Sequence, residues 1–90
     1  MIEAEKIRRS MRITHTLLDE EIQNNINTAL RDMRRVGVDI TKEDALVDKA
    51  CELYVKFQFD YQKKGDQFRK NYEALRDAMS LSKEYREESG

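Results

Sequence analysis

The sequence predicts an all-α protein: a small bundle of about four helices, with a central buried third helix and an extended or partly helical C-terminal tail. The chain has 90 residues with no Pro and only 3 Gly, so little in it interrupts a helix. Charged residues make up 39% and hydrophobic residues another 39%, and the apolar side chains recur at spacings of three and four. This pattern is typical of amphipathic helices that bury one face.

The first predicted helix runs from Ile2 to about Met11, and the second runs from Leu17 to Val36. Thr16 precedes an acidic first turn and is the predicted N-cap of the second helix. The last turn of that helix is basic, which suits the negative end of the helix dipole. Gly37 follows as the predicted left-handed stop. The predicted apolar stripe of the second helix consists of Leu18, Ile22, Ile26, Ala29, Leu30, Met33 and Val36.

The third predicted helix spans Lys42 to about Tyr61, with Thr41 as its cap. Its apolar residues form two adjacent rows, so it must pack against more than one neighbour and is the predicted central helix. The polar stretch 62–67 then turns the chain. Asp66 is the predicted cap of the fourth helix, whose apolar stripe ends at Met79.

Leu81 and Tyr85 stand four residues apart among serines and charges, beyond the predicted core. We therefore divide the chain into a helical domain, residues 1–79, and a C-terminal tail, residues 80–90, which is a candidate docking segment. Phe59 lies off the row formed by its aromatic neighbours and is a candidate inter-subunit contact. Together the three side chains would form a partner surface. The alternative is that isolated exposed apolar side chains have no role.

The sequence offers no basis for catalysis, a metal or a cofactor. The single Cys51 falls on the most buried predicted helix and the single His15 in a capping loop, so no nucleophile has a base beside it. Successive residues of the acidic stretch 19–21 point about 100° apart on a helix and cannot face one ion. The N-terminus holds no apolar run long enough for a signal peptide or a membrane span. We expect a soluble, non-enzymatic protein made in a reducing compartment.

Acidic and basic residues nearly cancel, 18 against 17, for a formal net charge of −1. No basic field over the whole chain therefore indicates nucleic acid. Arg31, Arg34 and Arg35 are still a candidate DNA or phosphate contact, although cations are favoured at a helix C-terminus in any case. A small helical DNA-binding regulator and a generic helical interaction module remain as alternatives.

The order of these segments resembles the phage head-to-tail connector, or adaptor, proteins. The resemblance runs from about Lys6 to Tyr85 and rests on four segments in sequence. The chain departs from the family pattern in lacking a proline near Ala45 and in its short loop before Asp66. The segments are MRI (residues 11–13), LLDEEIQNNINTALRDMRRVGV (17–38), ALVDKACELYVKFQF (45–59) and FRKNYEALRDAMSLSKEY (68–85).

The resemblance implies a structural virion protein that assembles beneath the portal protein as a closed ring of twelve subunits. Such a ring extends the DNA channel and provides a docking surface for a stopper or tail-completion protein, while DNA passes without sequence-specific binding. Leu81 and Tyr85 would dock on the portal or on a neighbouring subunit, and the outer faces of the second and third helices would meet in the ring. The implied location is the virion head–tail interface, with assembly in the bacterial host cytoplasm.

Overall fold

The computed structural model describes residues 2–42 and 44–86, so residues 87–90 of the predicted tail lie outside the described residues. The described chain forms the helices α1 (Ala4–Ser10), α2 (Asp19–Arg35), α3 (Ala45–Gln58) and α4 (Gly65–Leu81), with a short 3-10 turn at Tyr61–Lys63. α3 packs against both α2 and α4, and α1 packs against α2. The predicted all-α bundle and its central third helix are therefore confirmed.

The core lies along α3, between the apolar faces of α2 and α4. Cys51 is fully buried as a free thiol, and burial, with the nearby Asp48 carboxylate, raises its pKa to about 12. The interpretation of Cys51 as a small core residue is confirmed, because its thiolate is strongly disfavoured there. The fully buried side chains of the core include Ile22, Ile26, Ala29, Met33, Val38, Ala50, Cys51 and Val55.

α2 ends at the glycine that the sequence indicates. Gly37 has a φ of +93°, in the left-handed region that favours glycine. Its N–H donates to the carbonyl of Arg34 at 3.0 Å, and the N–H of Val38 donates to the carbonyl of Met33 at 3.0 Å. This is the paired bonding of a Schellman stop, and Val38 is fully buried behind it.

The prediction that Thr16 caps α2 is wrong. The helix begins at Asp19 with Leu18 in the N-cap position, and no side chain of the described residues bonds the free N–H groups there. Thr16 contributes only its carbonyl, which accepts the N–H of Asp19 at 3.1 Å. The start of α2 instead lies beside an ion pair, 2.9 Å long, between Asp19 Oδ1 and Arg8 Nε on α1, whose two buried atoms are not aligned as a hydrogen bond. This pair ties the short first helix to the second.

α3 begins later than predicted, and Asp44 caps it in place of Thr41. The Asp44 carboxylate accepts the N–H of Leu46 at 2.8 Å, the bond that an N-cap makes. The Thr41 hydroxyl donates instead to Asp39 Oδ1 at 2.6 Å. Thr41 therefore shapes the loop between α2 and α3 rather than the helix start.

α3 also ends before the predicted Tyr61, because Asp60 turns the chain with a left-handed φ of 48°. The Asp60 carboxylate accepts the N–H of Gly65 at 2.8 Å, so Asp60, not Asp66, fixes the start of α4. A Cβ on Gly65 would lie 2.6 Å from that carboxylate oxygen. A side chain at position 65 would therefore displace the Asp60 carboxylate, so the tight turn between α3 and α4 favours a glycine there.

A polar cluster joins α2 to α4. The Tyr72 hydroxyl donates to Asp32 Oδ2 at 2.7 Å, and Arg76 Nη1 donates to the same oxygen at 2.9 Å. Arg35 Nη2 donates to Asp32 Oδ1 at 2.9 Å. Partial burial alone would raise the pKa of Asp32, but the hydrogen bonds from Tyr72, Arg35 and Arg76 outweigh it and lower the pKa to about 2. The cluster fixes α4 against α2, and thereby positions the end of α4.

Candidate docking surface

α4 ends at Leu81, and the chain changes direction there. Ser82 has extended backbone angles, φ −90° and ψ 128°. Leu81 and Tyr85 therefore do not share one helical face. The Leu81 side chain is 82% exposed, which places a large apolar group in water at the tip of the helix.

Residues 82–86, which we call the strap, fold back onto the loop between α2 and α3. The carbonyl of Ser82 accepts the N–H groups of Tyr85 at 3.1 Å and Arg86 at 3.0 Å, so the strap starts with a tight turn. The carbonyl of Tyr85 accepts the N–H of Asp39 at 2.7 Å. Val38 and Arg86 pair as a single antiparallel bridge. The strap thus places a turn, residues 83–85, and the bridge residue Arg86 against the edge formed by Val38 and Asp39.

Tyr85 anchors the strap to its own subunit. Its ring is partly buried and packs against the core. Burial and the nearby Asp44 carboxylate raise the pKa of the Tyr85 phenol. Lys42 adds only a long bond, 3.5 Å, from Nζ to the carbonyl of Glu84. Of the two predicted docking residues, Leu81 faces water, whereas Tyr85 already has contacts within the subunit.

The structure does not bring Phe59 together with these two residues. Phe59 follows the C-terminus of α3 and is partly buried against the core. The strap lies near Asp44, at the N-terminus of the same helix. A helix of 14 residues is about 21 Å long. Phe59 and the strap therefore lie at opposite ends of α3.

Two further leucines are exposed. Leu46, 40% exposed, lies on the first turn of α3, at the end of the bundle where α4 terminates. Leu17, 85% exposed, precedes α2 at the opposite end. Neither was singled out from the sequence, because Leu46 fits an apolar row of the third predicted helix and Leu17 is only the first residue of the second. Leu17 matches Leu81 in type and exposure but lies far from the strap. It is therefore a suitable control position for substitutions at Leu81.

The structure brings the three predicted arginines together on α2. Arg31, Arg34 and Arg35 are all exposed, and with Thr28 and Asp32 they line an open depression of about 580 Å³. Arg35 is paired with Asp32. Guanidinium groups in this arrangement can bind phosphate or carboxylate oxygens.

Among residues 2–42 and 44–86, no group of three or more His, Cys, Asp or Glu side chains is placed to hold a metal ion. In the same part of the chain, no helix is both long and apolar enough to cross a membrane.

A comparison with protein families gives a match over nearly the whole chain. The model of a family described as phage connector protein matches residues 5–86, which include the strap and all four helices apart from Ala4, the first residue of α1. No significant match was found among curated proteins or among solved structures.

Proposed function

Because the chain belongs to the phage connector protein family, we propose that it assembles beneath the portal protein as a ring of twelve subunits. Family membership gives it a connector role in the phage virion, at the head–tail interface, with other head and tail proteins as partners. The proposed ring extends the DNA channel and offers a docking surface to a stopper or tail-completion protein. It is built in the cytoplasm of the bacterial host, and its role is assembly rather than a reaction.

Leu81 supports the docking part of this proposal. It is 82% exposed, although the preceding apolar residues of α4, Tyr72 and Met79, are each only 2% exposed. Burying a leucine side chain contributes about 1.5–3 kcal/mol, and contacts repeated around a ring act together. We assign docking on the portal or on a neighbouring subunit to residues 80–90, with Leu81 as the principal contact and Tyr85 as a second one.

The contacts between subunits are assigned to the outer faces of α2 and α3. A ring requires two different faces on each subunit, one for each neighbour. Phe59 is the aromatic side chain proposed to contact the neighbouring subunit on one of these faces. Its ring is only partly buried in the subunit, so a neighbour could cover the remainder.

The arginine cluster favours a second candidate function, a small helical DNA-binding regulator. Three exposed arginines on one face of α2 could contact the phosphates of a duplex. In the connector proposal the same side chains contact DNA only transiently and without sequence-specific binding. The net charge of −1 is consistent with such weak contact. A duplex-binding assay at two salt concentrations separates the candidates. Only a regulator would show strong, salt-dependent binding that is lost on replacing Arg34 and Arg35 by Ala.

The first test of the connector proposal is the native mass of the protein, alone and mixed with the portal protein of the same phage. We expect a ring, or a portal complex that carries many copies of this chain. A dimer of fixed size that ignores the portal would refute the connector proposal and favour a generic helical interaction module.

The second test replaces Leu81 by Ser. The lost burial of about 1.5–3 kcal/mol corresponds to roughly 10-fold to 150-fold weaker portal binding. Leu17→Ser is the matched control, because Leu17 is 85% exposed and lies at the other end of the bundle. Both variants should keep the stability of the wild type. Equal portal binding by both variants would count against Leu81 as the docking residue.

A further inference from the structure

We propose that the strap exchanges between neighbouring subunits when the ring forms. In the free subunit the strap closes on its own Val38–Asp39 edge, and in the ring it closes on the same edge of a second copy of this chain. The inference rests on the proposed ring. In that ring each neighbour provides its Val38–Asp39 edge, and the strap of the next subunit occupies it.

In the free subunit the Val38–Asp39 edge binds the strap through backbone contacts. The edge binds a turn whose tyrosine carbonyl accepts the N–H of Asp39, at 2.7 Å, and whose next residue pairs antiparallel with Val38. Every subunit of a ring carries the same strap and the same edge. Exchange therefore preserves each of these contacts, and each subunit of a closed ring gives one strap and receives one.

The strap is attached weakly compared with the helix that precedes it. Among residues 2–42 and 44–86, the backbone bond from Asp39 to Tyr85 at the Val38–Arg86 bridge and the partly buried ring of Tyr85 hold it to the edge. The bond from Lys42 Nζ is long and exposed. α4, by contrast, is fixed by the buried side chains of Tyr72 and Met79. The strap can therefore open while α4 stays folded.

The position of the hinge limits the geometry of exchange. The strap leaves α4 at Ser82, whose backbone is already extended. Its five residues would span at most about 18 Å if they were straight, and they span less while the turn at Ser82 is kept. The neighbouring copy must therefore present its Val38–Asp39 edge within about this distance of Leu81. Such an approach would also bury the exposed Leu81 side chain in the interface between the two subunits.

Two variants, each with one added cysteine, test the exchange directly. Residues that pair in an antiparallel bridge have Cα atoms about 4.5–5.5 Å apart, which a disulfide can span. Val38→Cys protein is mixed with Arg86→Cys protein, assembled with the portal and then oxidised. We expect disulfide-linked dimers, with one chain of each kind, only after assembly. Leu17→Cys in place of Arg86→Cys is the matched control and should give none. The native Cys51 does not interfere, because it is buried.

A double variant, Val38→Cys with Arg86→Cys, tests whether the strap must open. Oxidation of the free subunit locks the strap on its own edge. We expect at least about tenfold fewer ring or portal complexes from the locked protein. Adding a reductant should restore assembly, and the reduced sample shows that the substitutions themselves leave the fold intact.

The outcomes separate the exchange from the ring on which it rests. Normal ring yield from the locked protein, with no inter-chain disulfide in the mixture, would overturn the exchange and leave the ring standing. Blocked assembly without an inter-chain disulfide would also overturn it, because the strap would then move to the portal and not to a second copy. Absence of any ring or portal complex from the wild type would overturn the proposed function, and the exchange with it.

Discussion

Replacing Asp32 by Asn should destabilise the bundle through the polar cluster that joins α2 to α4. That cluster lowers the pKa of Asp32 from 3.8 to about 2, a difference of about 1.8 pH units, or about 2.4 kcal/mol. The Asp32 side chain keeps 22% of its exposure, so solvent screening reduces the effect. We expect a loss of about 1–2 kcal/mol in the free energy of unfolding near neutral pH.

The pH dependence of this loss follows from the sign of the shift. Because the folded protein favours the charged carboxylate, the stabilisation is complete above about pH 5 and is lost as the pH falls through about 4 towards about 2. Urea unfolding, followed by helical circular dichroism, measures the free energy at about pH 7, about pH 5 and about pH 3. The gap between wild type and Asp32→Asn should be the same at the two higher values and smaller at the lowest.

Asp66→Asn is the control for this experiment. Its side chain is 89% exposed, and its nearest cation, on Arg69, is 3.9 Å away, so the change should cost no more than about 0.5 kcal/mol. A loss in Asp32→Asn that does not vary with pH, or that is as small as the loss in Asp66→Asn, would refute the electrostatic account of the cluster.

Two further outcomes are expected. Gly65→Ala should lower the free energy of unfolding by about 1–3 kcal/mol, because the new Cβ meets the Asp60 carboxylate. In an Asp60→Ala background the same change should cost clearly less, and equal costs in both backgrounds would contradict this account. Cys51 should react with a thiol reagent only slowly at about pH 8 in the native protein and quickly in urea, because burial raises its pKa to about 12. Immediate reaction of the native protein would show that the thiol is accessible.

The features that the sequence predicted correctly depend on short stretches of chain. The stop of α2 at Gly37 is formed by residues 33–38 alone. All the residues that produce it are therefore adjacent in the sequence, where the pattern can be recognised. The buried stripe of α2 likewise follows from helical spacing. Helix starts were less predictable where several polar residues stand close together. Thr41 and Asp44 are both good caps, and the hydrogen bond from Thr41 to Asp39 decides between them.

The candidate docking surface was only partly predictable, because it depends on contacts between distant residues. The sequence separated Leu81 and Tyr85 from the core, but no local pattern indicates that Tyr85 meets Asp39. The same holds for the bridge between Val38 and Arg86. Pairing of this kind depends on where α4 ends relative to the loop between α2 and α3. That position is set by the tertiary packing of α4 and not by the residues of the strap.

The order in which the helices touch also determines how the chain can fold. Most packing joins consecutive helices, α1 with α2, α2 with α3, and α3 with α4. Contacts of such short sequence separation favour rapid folding by successive helical hairpins. The bond from Tyr72 to Asp32 and the pairing of Arg86 with Val38 instead span 40 residues or more. During synthesis on the ribosome the strap is therefore the last described segment to find its place, when the bundle that receives it has already been made.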